Sequence, residues 1–307
     1  MSVASGALAQ ANRRGILCMS AAMACFVIND AFIKIASATL PSGQMIFMRS
    51  LLVGLIMAAV IGASGATVRL RDMLRGQVAL RALIDASSTL LYLAALVHLP
   101  IANATAITLA TPIFMALLAM LFLREQVGLR GWIAVIVGFC GVVLVIQPRA
   151  DGFNVWALVA LAATLLHAVR DLMTRRIAAT IPSILITLAS AIAVCLLSGA
   201  IALTEGWRAF GTREVLLLVC AALFVAAGYY LIVVSFRHGD IAVISPFRYT
   251  ALLVALLLGY FLWGDIPNLL AWCGIALLIG AGLYVILRER WLVPAGTDAR
   301  APGGVKR

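Results

Sequence analysis

Asp30-Ala-Phe-Ile-Lys34, followed by Thr39-Leu-Pro41-Ser42, returns further along the chain as Asp171-Leu-Met-Thr-Arg175 followed by Thr180-Ile-Pro182-Ser183. Each matched position is offset by 141, so the copies align without a gap. Five long apolar runs separate the start of one copy from the start of the other, and an odd number of crossings reverses direction. The second copy therefore enters a bilayer from the opposite face. That is an inverted-topology repeat, the construction of many secondary transporters.

The composition makes lipid the solvent. Of the residues, 64% are hydrophobic and 11% charged, with a mean hydropathy of +1.11, too little polar surface for a water-soluble globule of this size. A bilayer span needs about 20 apolar residues. Ten such runs fall at 15–35, 43–63, 76–97, 101–122, 129–147, 154–174, 182–203, 213–235, 241–262 and 268–288. Stretches such as Ala116-Leu-Leu-Ala-Met-Leu-Phe122 are apolar on every side, whereas strands of a membrane barrel alternate. The sequence thus predicts an all-α integral membrane protein of ten transmembrane helices, arranged as two inverted five-helix repeats around a central cavity.

With the amino terminus inside, the short cytoplasmic segments collect fifteen Lys and Arg, while the outer ones hold four: Lys34, Arg149, Arg208 and Arg213. Both termini are expected to be cytoplasmic by the positive-inside rule. The net charge of +11 is spread over loops that face anionic headgroups, which makes the bilayer the partner and excludes nucleic acid. The six cysteines lie inside spans without metal-ligand spacing, so neither a disulfide framework nor a metal is implied. Arg13-Arg14 before an apolar stretch imitates a signal peptide, but the stretch runs for a full span and carries Asn29-Asp30. It reads as an uncleaved first helix. The organisation expected is a cytoplasmic segment over 1–14, repeats over 15–147 and 154–288, a linker over 148–153, and a disordered tail over 289–307 rich in Pro and Gly.

The later parts of the repeats also match. Leu123-Arg-Glu125 before Gly131-Trp132 corresponds to Trp263-Gly-Asp265 before Ala271-Trp272, now at an offset of 140. The ten-span layout, Glu125 and Asp265 closing the fourth and ninth spans, and the Gly-rich fifth and tenth spans resemble the drug/metabolite transporter superfamily, specifically its EamA-type members. Asn29-Asp30-Ala with Lys34, Pro246-Phe-Arg248-Tyr249-Thr250 and Arg288-Glu289 are similar to a branch holding bacterial amino-acid exporters and S-adenosylmethionine and riboflavin uptake proteins. The resemblance implies a cavity lined mainly by spans 1, 3, 4, 6, 8 and 9.

The polar residues point inward independently, because a charge near the bilayer centre costs at least about 2.5 to 3.5 kcal/mol. In span 3, Arg81, Asp85, Ser88 and Tyr92 follow one another at spacings of 4, 3 and 4. They form one stripe of a helix and are candidate substrate-binding residues, although Arg81 and Asp85 also suit a plain i,i+4 ion pair. In span 9, Arg248 sits roughly 10 Å from the helix start at 1.5 Å per residue, beside Tyr249. It is a candidate anion site, with a structural ion pair to an Asp as the rival. Pro246 there and Pro112 in span 4 each remove a backbone donor and are candidate hinges. Arg49 is close enough to its span end to snorkel outward. Span 6 places Thr164, His167 and Asp171 on one face. His167 could couple transport to protons or simply brace helices. Thr108 of span 4 and Tyr230 of span 8 complete the candidate binding set. The repeated pairs Asp30 with Lys34 and Asp171 with Arg175 are candidate gates at opposite faces, or local i,i+4 supports.

These features predict a secondary transporter of a small zwitterionic or anionic organic solute, most simply an amino acid; the resemblance implies export, with uptake of a cofactor-like solute such as S-adenosylmethionine or riboflavin as the alternative. No H-E-x-x-H or Walker A motif is present, so neither an intramembrane enzyme nor direct ATP drive is expected. No cofactor is expected, and the protein is a monomer or homodimer.

Overall fold

In hydrocarbon every backbone amide must bond within the protein, and the long apolar runs do so as helices. The computed structural model describes residues 2–63, 70–123, 129–146, 154–174, 177, 181–238 and 245–292. Among these residues are eleven α-helices. They are α1 (Ser2–Ala36), α2 (Ser42–Ala63), α3 (Gly76–His98), α4 (Ile101–Thr108), α5 (Thr111–Leu123), α6 (Leu129–Ile146), α7 (Val155–Thr174), α8 (Ser183–Glu205), α9 (Thr212–His238), α10 (Thr250–Trp263) and α11 (Leu269–Leu292). Short 3₁₀ turns occupy Leu70–Leu74 and Ser245–Tyr249. Six stretches are long and apolar enough to cross a membrane: Arg13–Ala36, Ser42–Ala63, Gly76–His98, Val155–Thr174, Ile184–Glu205 and Thr212–Ile232. Shorter apolar helices accompany them. Large apolar side chains such as Leu55, Leu196 and Phe261 point away from the protein, as lipid-facing groups should.

Several expected boundaries shift. The helix that carries the first run starts at Ser2, inside the segment expected to precede it. The last helix runs on to Leu292, into the expected tail, whose residues 293–307 lie outside the described residues, as does the linker over 148–153. The fourth apolar run is two helices, α4 and α5, joined by a turn at Leu109–Ala110. The ninth starts as the 3₁₀ turn Ser245–Tyr249 before continuing as α10.

Prolines fix the starts. Pro100 and Pro182 precede α4 and α8, where a missing amide hydrogen leaves no carbonyl unpaired. Gly264 closes α10 at φ +70°, and the Asp265 amide returns to the Gly259 carbonyl at 3.1 Å. A residue with a Cβ would be strained in that left-handed cap.

The helices pack in matched pairs. The main partners are α1 with α9, α2 with α8, α3 with α7, α6 with α11, and α4 with α10. The contact of α2 with α9 has its counterpart in that of α3 with α8, and α1 against α10 is mirrored by α7 against α4 and α5. Between α6 and α11 the approach is backbone to backbone. A Cβ on Gly274 of α11 would lie 2.6 Å from the Gly141 carbonyl oxygen of α6, and one on Gly141 would lie 2.8 Å from that of Gly274.

Replacing Gly274 by Ala should therefore lower stability by about 1 to 3 kcal/mol, the usual cost of overpacking. Gly280→Ala on the same helix, where a Cβ meets open space, should be neutral or stabilising by up to about 1 kcal/mol. Thermal unfolding of the two variants in detergent checks the difference.

Candidate substrate cavity

Where α4 gives way to α5, Pro112 has no amide hydrogen to offer the Thr108 carbonyl one turn back. The Thr111 hydroxyl takes that role, donating to Thr108 O at 2.5 Å. The Ala110 amide reaches only three residues back, to Ile107 O at 3.1 Å. In the second half Thr250 Oγ1 likewise donates three residues back, to Phe247 O at 2.7 Å, where the 3₁₀ turn enters α10. At the offset of 140, Leu109 matches Tyr249 and Thr108 matches Arg248. The two interruptions thus fall at equivalent places, and irregular backbone at membrane depth is tolerated where it lines a cavity.

A cavity of about 290 Å³ lies there. Its wall takes Asn29 and Asp30 from α1, Arg49 from α2, Tyr92 from α3, Thr105 and Thr108 from α4, Thr111 and Pro112 from α5, His167, Arg170 and Asp171 from α7, Tyr229 from α9, and Arg248 and Tyr249 from the 3₁₀ turn. Apolar side chains such as Met23, Phe26, Val225 and Ile232 fill the gaps. Three Arg against two Asp leave the wall positive by one charge with His167 neutral.

Two hydrogen-bonded systems hold these groups. In the first, Arg49 Nη1 donates to Asn29 Oδ1 at 3.2 Å, Asn29 Nδ2 to Asp30 Oδ1 at 2.9 Å, and the Tyr92 hydroxyl to Asp30 Oδ2 at 2.7 Å. In the second, Arg170 is the hub: Nη1 reaches Asp85 Oδ1 at 2.6 Å, while Nη2 and Nε hold Asp171 Oδ1 at 2.9 and 3.0 Å. Arg81 Nη1 contacts Asp85 Oδ2 at 3.4 Å and Ser190 Oγ at 2.5 Å, and its Nε donates to Thr174 Oγ1 at 3.0 Å. Three buried polar atoms on the cavity wall, Arg49 Nε, Thr105 Oγ1 and Tyr249 Oη, have no hydrogen-bond partner among the described residues. Arg248, half-buried, has no ion pair among them either.

Of the residues expected to bind substrate, Tyr92, Thr108, His167, Arg248 and Tyr249 meet on the cavity wall, with the His167 and Tyr92 rings 6.2 Å apart. The others lie off it. Arg81 and Asp85 face the interior as their stripe requires, but Arg170 from α7 draws Asp85 into an ion-pair network. Ser88 donates to the Asp85 carbonyl at 2.8 Å. Thr164 donates to Ala160 O at 2.8 Å and lies 3.5 Å from Ile107 O across the helix boundary. Tyr230 is 69% exposed, because it sits about 100° of helix rotation from Tyr229, which lines the cavity.

The gate candidates part in the same way. Asp30, Asp171 and Pro112 line the cavity. Lys34 does not pair with Asp30. It donates to the Leu99 carbonyl, with its ammonium 5.2 Å from the centre of the Trp263 ring, tying the ends of α1, α3 and α10 together. Asp171 is held by Arg170, and its expected partner Arg175 lies outside the described residues. Pro246 falls in the 3₁₀ turn. Arg49, expected to snorkel outward, is instead buried on the cavity wall and bonded to Asn29, and Asn29, Arg170 and Tyr229 were not among the binding candidates. The Asn29-Asp30 and Arg170-Asp171 dipeptides at matching positions of the repeat were the available signal.

Apolar helices with exposed apolar side chains, enclosing a charged cavity, define a multi-pass membrane protein with an internal polar site. The chain belongs to the EamA-like transporter family, whose model matches residues 13–147 and again 154–288. It shares 29% identity over 198 residues with a riboflavin transporter of Rhizobium johnstonii, covering 64% of this chain and 66% of that one. With an S-adenosylmethionine uptake transporter of Rickettsia bellii it shares 27% over 191 residues, 62% and 65% of the two chains. It thus spans about two thirds of the length of these relatives. A pseudopaline exporter of Pseudomonas aeruginosa is 24% identical over 275 residues, 88% and 94% of the two chains. A solved crystal structure shares the fold, with a TM-score of 0.61 at 20% identity over 94% of this chain and 99% of that one.

Replacing Asp85 by Ala leaves Arg81 and Arg170 facing one another without their shared carboxylate. Stability should fall by about 3 to 5 kcal/mol, the cost of removing one partner of a buried pair. Tyr230→Ala should stay within about 0.5 kcal/mol. Detergent-solubilised unfolding curves distinguish the two.

Proposed function

We propose that this protein is a secondary transporter that moves a small zwitterionic or anionic organic metabolite across a bacterial inner membrane by alternating access. In this reading, ten membrane-crossing segments form two inverted five-helix halves, and both termini are cytoplasmic. The matched helix contacts, the matched interruptions at Leu109–Ala110 and Ser245–Tyr249, and the family model that matches twice support that architecture. In such transporters the interrupted segments of the two halves mark the binding site.

Arg248 carries the choice of substrate class. It lies on the cavity wall at one interruption, with no ion pair among the described residues, so its guanidinium is available to a carboxylate or phosphate in bidentate geometry. Tyr92, Tyr229 and Tyr249 offer flat apolar walls for the rest of the solute. An amino acid fits this description. So does S-adenosylmethionine, which carries an amino-acid end, and a relative is named for its uptake. Riboflavin, named for another relative, has a flat ring but no carboxylate, so it would use the tyrosines and not Arg248. Relatives named for uptake and for export leave direction to the gradients that the cell supplies.

Flux of labelled amino acids, S-adenosylmethionine and riboflavin into liposomes holding the purified protein tests this. For a carboxylate-bearing solute, Arg248→Ala should weaken apparent affinity about 10- to 100-fold, the equivalent of one charge-assisted hydrogen bond of about 1.5 to 3 kcal/mol. Undiminished flux in that variant would remove Arg248 from the site.

A further inference from the structure

The two carboxylates of the cavity wall are held differently. Asp171 has a guanidinium on it: Arg170 contacts it through two nitrogens, at 2.9 and 3.0 Å. Asp30 is 9% exposed and has no ion pair among the described residues. Its hydrogen bonds come from neutral donors, the Tyr92 hydroxyl and the Asn29 amide. The nearby Arg49 spends its Nη1 on the oxygen of Asn29 instead. A buried ion is costly unless a counter-charge meets it, and the side of Asp30 without one is the cavity.

We propose that Asp30 is the cation site of the cavity, taking either the positively charged group of the solute or a proton, but not both. When a cationic or zwitterionic solute binds, its charge meets the Asp30 carboxylate, and the proton leaves to the aqueous side to which the cavity is then open. When the solute leaves, a proton from that side replaces it. Each solute that departs on one side is matched by a proton carried back, so the pair exchanges across the membrane. This rests on the transport reading above, and it moves proton coupling from His167 to Asp30.

The groups around Asp30 are consistent with that exchange. On α1, Lys34 is one turn away but is turned to the Leu99 carbonyl. Arg49 of α2 acts through Asn29. Tyr92 of α3 and Tyr229 of α9 are phenols. Across the cavity, Arg170 and Asp171 of α7 neutralise one another, beside His167. Arg248 and Tyr249 from the 3₁₀ turn complete the wall, Arg248 being reserved for the anionic end of the solute.

Infrared difference spectra of the purified protein in nanodiscs, taken as the pH is lowered, test Asp30 without any transport assay. Among the protonated-carboxyl bands that grow, one component should be present in the wild type and in Asp171→Asn but missing in Asp30→Asn. At acid pH, S-adenosylmethionine should erase it and riboflavin should not. Carboxyl spectra that are the same in Asp30→Asn as in the wild type, or a component unmoved by S-adenosylmethionine, would overturn the proposal. Liposome flux run alongside separates the two readings: no flux of any tested solute would count against transport while the infrared band still decides Asp30.

Discussion

A charge or an unpaired amide in hydrocarbon has no water to fall back on, and the rest of this structure follows from that constraint. It makes the long runs helical, turns Leu55, Leu196 and Phe261 outward, and gathers many of the costly departures around one place. Among them are the break at Leu109–Ala110, the 3₁₀ entry at Ser245–Tyr249 and the charges of Asp30, Arg49, Arg170 and Asp171. All border the same cavity. Each is repaired locally: the Thr111 hydroxyl stands in for the amide that Pro112 lacks, and Arg170 joins two carboxylates that could not lie buried alone. The polar interior is affordable only because it is shared.

Rigidity and freedom are correspondingly divided. Around Arg170, guanidinium, carboxylates and hydroxyls from α3, α7 and α8 are bonded to one another, and a satisfied network of this kind fixes the helices it joins. Elsewhere on the cavity wall, Arg49 Nε, Tyr249 Oη and the Arg248 guanidinium keep bonding capacity in hand. The first set positions helices, and the second is available to a visitor.

Much of this was legible in the sequence, for physical reasons. Runs of apolar residues locate helices because lipid leaves no other backbone solution, and the gapless match of Asp30 with Asp171 reveals duplication because offsets survive where side chains drift. Helix phase was harder. A segment apolar on every side does not tell Tyr229 from Tyr230, and only packing against α1 decides which faces inward. The stripe Arg81, Asp85, Ser88 and Tyr92 was correctly placed in the interior. Its division between an ion-pair network and the cavity depends on Arg170, which comes from a helix far along the chain. Long-range partners of charges leave no local pattern.

Fusion of the two halves in one chain has a consequence for electrostatics. At equivalent positions of the repeat, Asn29 stands opposite Arg170, Ser190 opposite Arg49, and Thr108 opposite Arg248. In each pair one member is a cation and the other a neutral polar group. Two identical halves would either lack all three guanidiniums or carry them twice, and six cations around about 290 Å³ of weakly screened space would repel one another more than two carboxylates could offset. Divergence within a single chain lets each guanidinium appear once. The helix contacts of the two halves stay matched, while the cavity they enclose is chemically lopsided: carboxylate with neutral donors on α1, guanidinium at the interruption before α10. A solute with two unlike ends therefore has one preferred orientation in a frame whose two halves are built alike.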